Sequence, residues 1–159
     1  MSGRVCKSSL PYENASSGER ALAETQRILA RFNVQAFGTL QDFERKVIIV
    51  QFRYRDLQIH VEASVSGYAA AWLKAHPWSR RCSRSREAHE QHALRIARSA
   101  VYSVLRDWIK GQVTAVETGI LSFEGAFLGQ ILLPSGMTVL QHMAESKLLA
   151  PGAATSGAP

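Results

Sequence analysis

From Ser85 to Thr118 the chain holds no proline and a single internal glycine, Gly111. Apolar residues recur there at Leu94, Ala97, Val101, Val104, Leu105, Trp108 and Ala115. That three-four spacing is the signature of one long amphipathic helix. Gly119 stops it in the manner of a helix C-cap. A helix of this size dictates the rest of the architecture, because its apolar stripe must be covered by something the remaining chain supplies.

The covering surface is legible upstream. Val47 to Arg55 and Leu57 to Ala63 are rich in Val, Ile, Phe and Tyr and alternate apolar with polar positions, as half-buried strands do. The Arg55-Asp56 pair between them predicts a tight hairpin. Val34 to Leu40 adds a third antiparallel strand. Glu19 to Phe32 carries Leu22, Thr25, Ile28, Leu29 and Phe32 at helical spacing, with Ser17 as N-cap. Gly67 to Ala75 reads as a short helix stopped at His76-Pro77, since the residue before proline avoids helical geometry. Downstream, Ser122 starts a short helix running to Leu128, Ile131 to Leu133 forms a small strand, and Thr138 to Ala144 a last helical turn or two. The expected fold is therefore α+β, a small antiparallel sheet packed by a long C-terminal helix and shorter helices. One domain over 18–146 is expected between flexible tails at 1–17 and 147–159, both made mostly of small and polar residues.

Composition excludes several classes. Apolar residues make up 46% and charged residues 20% of the 159, close to the values of ordinary globular chains. No stretch approaches the roughly 20 apolar residues a membrane helix needs, and Met1 to Leu10 lacks the apolar core of a secretory signal. The expected address is the cytoplasm, where Cys6 and Cys82 are free thiols. Cys82 lies between Arg81 and Arg84, which favours some thiolate character.

Charge is the most informative functional signal. The net charge is +6. Nearly all of the excess lies between residues 74 and 98, where Lys74, Arg80, Arg81, Arg84, Arg86, Arg95 and Arg98 face only Glu87 and Glu90. On a helical wheel at about 100° per residue, Arg95, Arg98, Tyr102, Arg106 and Lys110 form one seam away from the apolar stripe. With Arg80, Arg81, Arg84 and Arg86 entering at its N-terminal end, such a seam can track a phosphate backbone. Tyr102 and Trp78 are the aromatics placed to stack on unpaired bases. A solvated polar helix face accounts for the same pattern, and Trp78 folded back on the domain is the alternative to an exposed anchor.

Other constellations carry less. His89 and His92 form H-E-Q-H, three apart, whereas zinc hydrolases place two histidines four apart with a further ligand, so solvated helix histidines are expected and no metal site. His60 shares a strand face with Gln58 and Glu62. Glu117 and Glu124, able to approach the basic loop, are read as capping or salt-bridging residues. The phosphate-loop, dinucleotide-binding and nucleophile-elbow motifs are missing from the sequence. No cofactor and no catalytic residues are assigned. Leu94, Val101, Trp108 and Ala115 repeat every seven residues, which suits either the domain's own core or a helix seam in a homodimer.

The runs V-E-A-S-V-S-G-Y-A-A-A-W-L at 61–73, A-V-Y-S-V-L-R-D-W-I-K at 100–110, V-E-T-G-I-L-S-F-E-G-A-F-L at 116–128 and L-L-P-S-G-M-T-V at 132–139 together resemble small proteins carried by bacteriophages and prophages. The likeness spans about 34–143. It implies action in a host cytoplasm and brings no activity with it. Two functions are in view. One is a non-enzymatic nucleic-acid-binding accessory protein contacting DNA or RNA through the basic loop and helix face. The other is a protein-interaction module or inhibitor of a host defence or replication protein. A pocket for a small molecule between sheet and helix is a third possibility.

Overall fold

The computed structural model describes residues 9–149. Helix α1 spans Gly18–Arg31, strands β1, β2 and β3 span Ala36–Asp42, Val47–Tyr54 and Leu57–Ser64, and helices α2 and α3 span Val65–Ala75 and Arg86–Glu117. A short α4 at Phe123–Phe127 runs into a 3-10 turn at Leu128–Gln130, and α5 closes the order at Val139–Glu145. The fold is α+β, as the sequence predicts.

Local chemistry explains the boundaries. Ser17, Ser64, Ser85, Ser122 and Thr138 each accept a hydrogen bond from a backbone N–H in the first turn of the helix that follows. Each thereby satisfies a donor the helix itself leaves unpaired. Thr138 and Gln141 complete a reciprocal capping box. Gly119 follows α3 at φ 74°, the left-handed geometry that glycine adopts without a Cβ clash. The β2–β3 turn needs the same geometry at both central residues, and Arg55 and Asp56 adopt it at φ 46° and 65°.

The sheet is antiparallel in the order β1-β2-β3. Its register places Phe37, Phe52 and Ile59 in one row, Thr39, Val50 and Val61 in the next, and Gln41, Ile48 and Ala63 in a third. These rows face the helices. The free edge of β3 is covered by the C-terminal segment: Leu132 N–H donates to the Gln58 carbonyl at 2.8 Å, and Ile131 bridges to Ile59. Ile131 to Leu133, expected as a strand, makes only isolated bridges, because the chain turns away at Pro134-Ser135-Gly136 after a single register position.

Helix α3 is the spine. At about 1.5 Å per residue its 32 residues extend roughly 48 Å, more than one neighbouring element can cover. Its N-terminal half packs on α2, where Trp72 lies against His89 and His92. Fully buried Ala93, Ala97 and Ala100 keep side-chain bulk off this half and permit close helix packing. The C-terminal half packs on α1: Gly18 sits against Tyr102, Glu24 pairs with Arg106, and Arg31 pairs with Glu117. Phe127 of α4 is fully buried between Phe52 of the sheet and Trp108 of α3, with edge-on rings at 5.5 and 5.8 Å. Among the repeating residues Leu94, Val101, Trp108 and Ala115, Val101 is buried, the other three are half-buried, and Leu94, Val101 and Trp108 pack into this core. The stripe serves the domain's own interior.

Residues 9–17, expected as part of a tail, make defined contacts. The Pro11 carbonyl accepts from the Tyr68 hydroxyl, Tyr12 donates to Asp107 at 2.8 Å, and the Glu13 carboxylate lies 3.7 Å from His76 Nε2. Residues 1–8, with Cys6, and 150–159 lie outside the described residues. No helix among those described is long and apolar enough to cross a membrane.

Candidate nucleic-acid interface

The ten residues read from sequence divide into three groups. Arg80, Arg81 and Arg84 are exposed on the loop between α2 and α3, and Arg95 and Arg98 are exposed on the N-terminal half of α3. None of these five has an acidic partner among the described residues. Arg86 is also exposed, and its Nε lies 3.5 Å from Glu90 one turn on, which partly neutralises it.

Trp78 is 39% exposed, and its indole N–H donates to the Arg84 carbonyl at 2.9 Å. The ring is therefore pinned to the basic loop and left partly exposed. This lies between the two expectations of a free anchor and a folded-back side chain.

The other three do not join them. Tyr102 is 5% exposed and its hydroxyl accepts from Gln41 Nε2 at 2.6 Å, so the ring cannot stack on a base. Arg106 is half-buried and held by Glu24 at 3.4 Å and Asp107 at 2.8 Å. Hydrogen bonds from Arg106 and then Tyr12 hold the Asp107 carboxyl below its usual pKa. Lys110 is exposed, but lies about 22 Å along the helix from Arg95. The continuous seam expected from Arg95 to Lys110 is thus interrupted by α1, which lies over the Tyr102–Arg106 stretch.

What the structure does bring together is a patch around the first turns of α3. Arg95 Nη2 is 3.4 Å from His92 Nδ1. Burial holds the His92 imidazole below its ordinary pKa, and the charges of Arg84, Arg95 and His89 push in the same direction. Arg95 of the helix thus stands against His92, and the charge of Arg84 from the loop acts on the same imidazole, so loop and helix add to one region of positive potential. His89 corrects the expectation of solvated histidines. It is 6% exposed, and its Nε2 lies 2.7 Å from the His76 carbonyl. The histidines here wrap Trp72, with His76 stacked on it at 4.4 Å, and no group of acidic, cysteine or histidine side chains among the described residues has the arrangement of a metal site.

Cys82, free in the same loop, has its pKa lowered first by hydrogen bonding to Ser79, with Arg84 adding less. The neighbouring arginine is thus the smaller of the causes. Glu117 pairs with Arg31 at 3.6 Å, at the opposite end of α3 from the basic loop. His60 lies on the sheet face away from the helices, as expected, bonded to Gln51 at 2.8 Å.

The patch continues onto residues the sequence reading missed. Phe43 and Lys46 belong to the β1–β2 loop, and Phe43 is 72% exposed with the Arg98 guanidinium 5.8 Å from its ring centre. The F-E-R-K run at 43–46 was the available signal, an aromatic beside two bases in a hairpin turn. Only folding sets it beside Arg98, more than 50 positions away. The chain matches no family model, and neither a curated protein nor a solved structure shows significant similarity to it.

Proposed function

We propose that this chain is a non-enzymatic nucleic-acid-binding accessory protein that grips phosphates with Arg80, Arg81, Arg84, Arg95 and Arg98. The observation that carries the reading is that these five arginines are exposed on the loop before α3 and its N-terminal half and have no acidic partner among the described residues. Uncompensated guanidinium groups are suited to phosphate oxygens, which they meet with paired N–H donors. Arg86 and the partly exposed Trp78 border the same surface. Tyr102, Arg106 and Lys110 take no part. The likeness to phage proteins gives the setting of this reading, a host cytoplasm containing phage and host nucleic acid.

The test is fluorescence anisotropy with labelled single- and double-stranded DNA and RNA over a salt series. Affinity falling linearly in a log-log plot is expected. No binding at the lowest salt sinks the reading.

A second reading, docking to a host defence or replication protein, is favoured by exposed Ile120, Leu128 and Leu140 in the C-terminal third. Apolar residues left in water are the usual material of protein interfaces. A lysate pulldown with and without nuclease separates the two, since a partner retained after nuclease treatment is held by protein contacts.

A further inference from the structure

A cleft of about 250 Å³ opens between the β1–β2 loop and α3, beside the arginine patch. Ile48 and Leu94 give it apolar lining, and Gln41, Gln91, Lys46 and Arg98, with the single carboxylate Asp42, give it polar lining. Phe43, largely exposed, also lines it. We propose that this cleft accepts one unpaired base of a single-stranded nucleic acid, stacked on Phe43, with the adjoining phosphate held by Arg98 and Lys46. The inference rests on the phosphate-binding reading above and names the form of nucleic acid recognised.

Three observations support it. Phe43 is the most exposed aromatic among the described residues, at 72%, while Trp78 and Tyr12 are each at 39%. The Arg98 guanidinium lies over one face of this ring, and a base stacks there as the guanidinium turns to the adjoining phosphate; an exposed aromatic among cations is the usual platform for bases in single strands, because every base has a π-face whatever its sequence. The cleft is also small, below the roughly 300–1,000 Å³ typical of sites that enclose drug-sized ligands, so a single ring system suits it better than a whole nucleotide. Finally, its walls are held in place. Asp42 Oδ1 accepts from Arg45 N–H at 2.8 Å, which fixes the hairpin loop, and the Lys46 carbonyl accepts from Val65 N–H at 2.9 Å, which ties the loop to α2. Gln41, bonded to Tyr102, presents its amide from a fixed position. A base within a duplex is already paired and stacked on both faces, so the cleft discriminates against double strands.

The experiment compares a labelled single-stranded oligonucleotide, its duplex, and an abasic strand of equal length and charge, each with wild type and with Phe43→Ala. Wild type is expected to bind the intact strand about tenfold more tightly than the abasic one, the size of one stacking contact. Phe43→Ala should erase that difference and leave the salt slope unchanged, because no charge is altered. Phe43→Trp serves as a second variant, with its fluorescence quenched by the intact strand and not by the abasic one. Equal affinity of wild type for intact and abasic strands, or no effect of Phe43→Ala, overturns the base site while the phosphate reading stands. Failure of wild type to bind any probe overturns both.

Discussion

Replacing Arg84 and Arg95 together by alanine tests whether the arginine patch meets phosphates, and the structure sets the size of the effect. Both side chains are exposed and have no acidic partner among the described residues, so the double variant should change stability by less than about 0.5 kcal/mol. Five arginines of the patch lack an acidic partner among the described residues. If each displaces counterions from a single strand, log affinity falls against log salt with a slope of about −3.5, at about 0.7 per phosphate. Raising salt from about 50 to about 200 mM then weakens wild type about 130-fold. The double variant retains three contacts and a slope of about −2.1, and loses only about twentyfold over the same range. The two lines are therefore furthest apart at low salt and converge as salt rises. Anisotropy titrations at four or five salt concentrations give both slopes, with Lys110→Ala as control because that residue lies at a distance along α3. Parallel lines for wild type and the double variant would refute the assignment of these arginines to phosphates, whatever the absolute affinities.

Removing the hydroxyl in Tyr102→Phe leaves Gln41 Nε2 without its acceptor in a half-buried position, and should cost about 1 kcal/mol in urea denaturation. Unchanged stability contradicts its placement in the core. Replacing Arg55-Asp56 by Asn-Gly relieves two left-handed residues in the β2–β3 turn and should stabilise the protein by about 1 kcal/mol, seen as a higher melting temperature; an unchanged or lower value rules out strain there. For His92 two pH dependences run together. Its pKa is lowered on folding, so the unfolded chain is the better proton acceptor, and the stability this shift contributes is present above about pH 6.5 and lost as pH falls. A phosphate held by Arg95 beside His92 offsets that arginine's charge and lets His92 take up a proton, so affinity should rise below about pH 6.5 and His92→Gln should abolish that rise. A pH-independent affinity in wild type excludes His92 from the contact.

Much of the architecture was legible because it is set by neighbours in sequence. Alternation of apolar and polar residues marked β2 and β3 to within a residue, and it assigned His60, Gln58 and Glu62 to the sheet face opposite the core. The long helix was plain from its lack of breakers between Ser85 and Gly119, α2 from its stop at His76-Pro77, and α4 from its capping Ser122. The candidate interface was half legible. Arg80, Arg81 and Arg84 were found because charge density needs no folding to be seen. Phe43 and Lys46 were missed because their importance comes from Arg98, which reaches them only across the sheet end.

The misreading of Tyr102 and Arg106 has one physical cause. A helical wheel assigns a single buried side to the whole of α3, as though one surface covered it. Over some 48 Å the helix meets α2 first and α1 second, and these lie against different sides of it. The side turned to water around Arg95 and Arg98 is therefore turned to α1 around Tyr102 and Arg106. Periodicity within a segment, caps and breakers are local and were determined by the sequence alone. Which helix covers which stretch of α3, and so which arginines remain free to meet a ligand, depends on contacts between residues as distant as Glu24 and Arg106, and only the tertiary structure decided it.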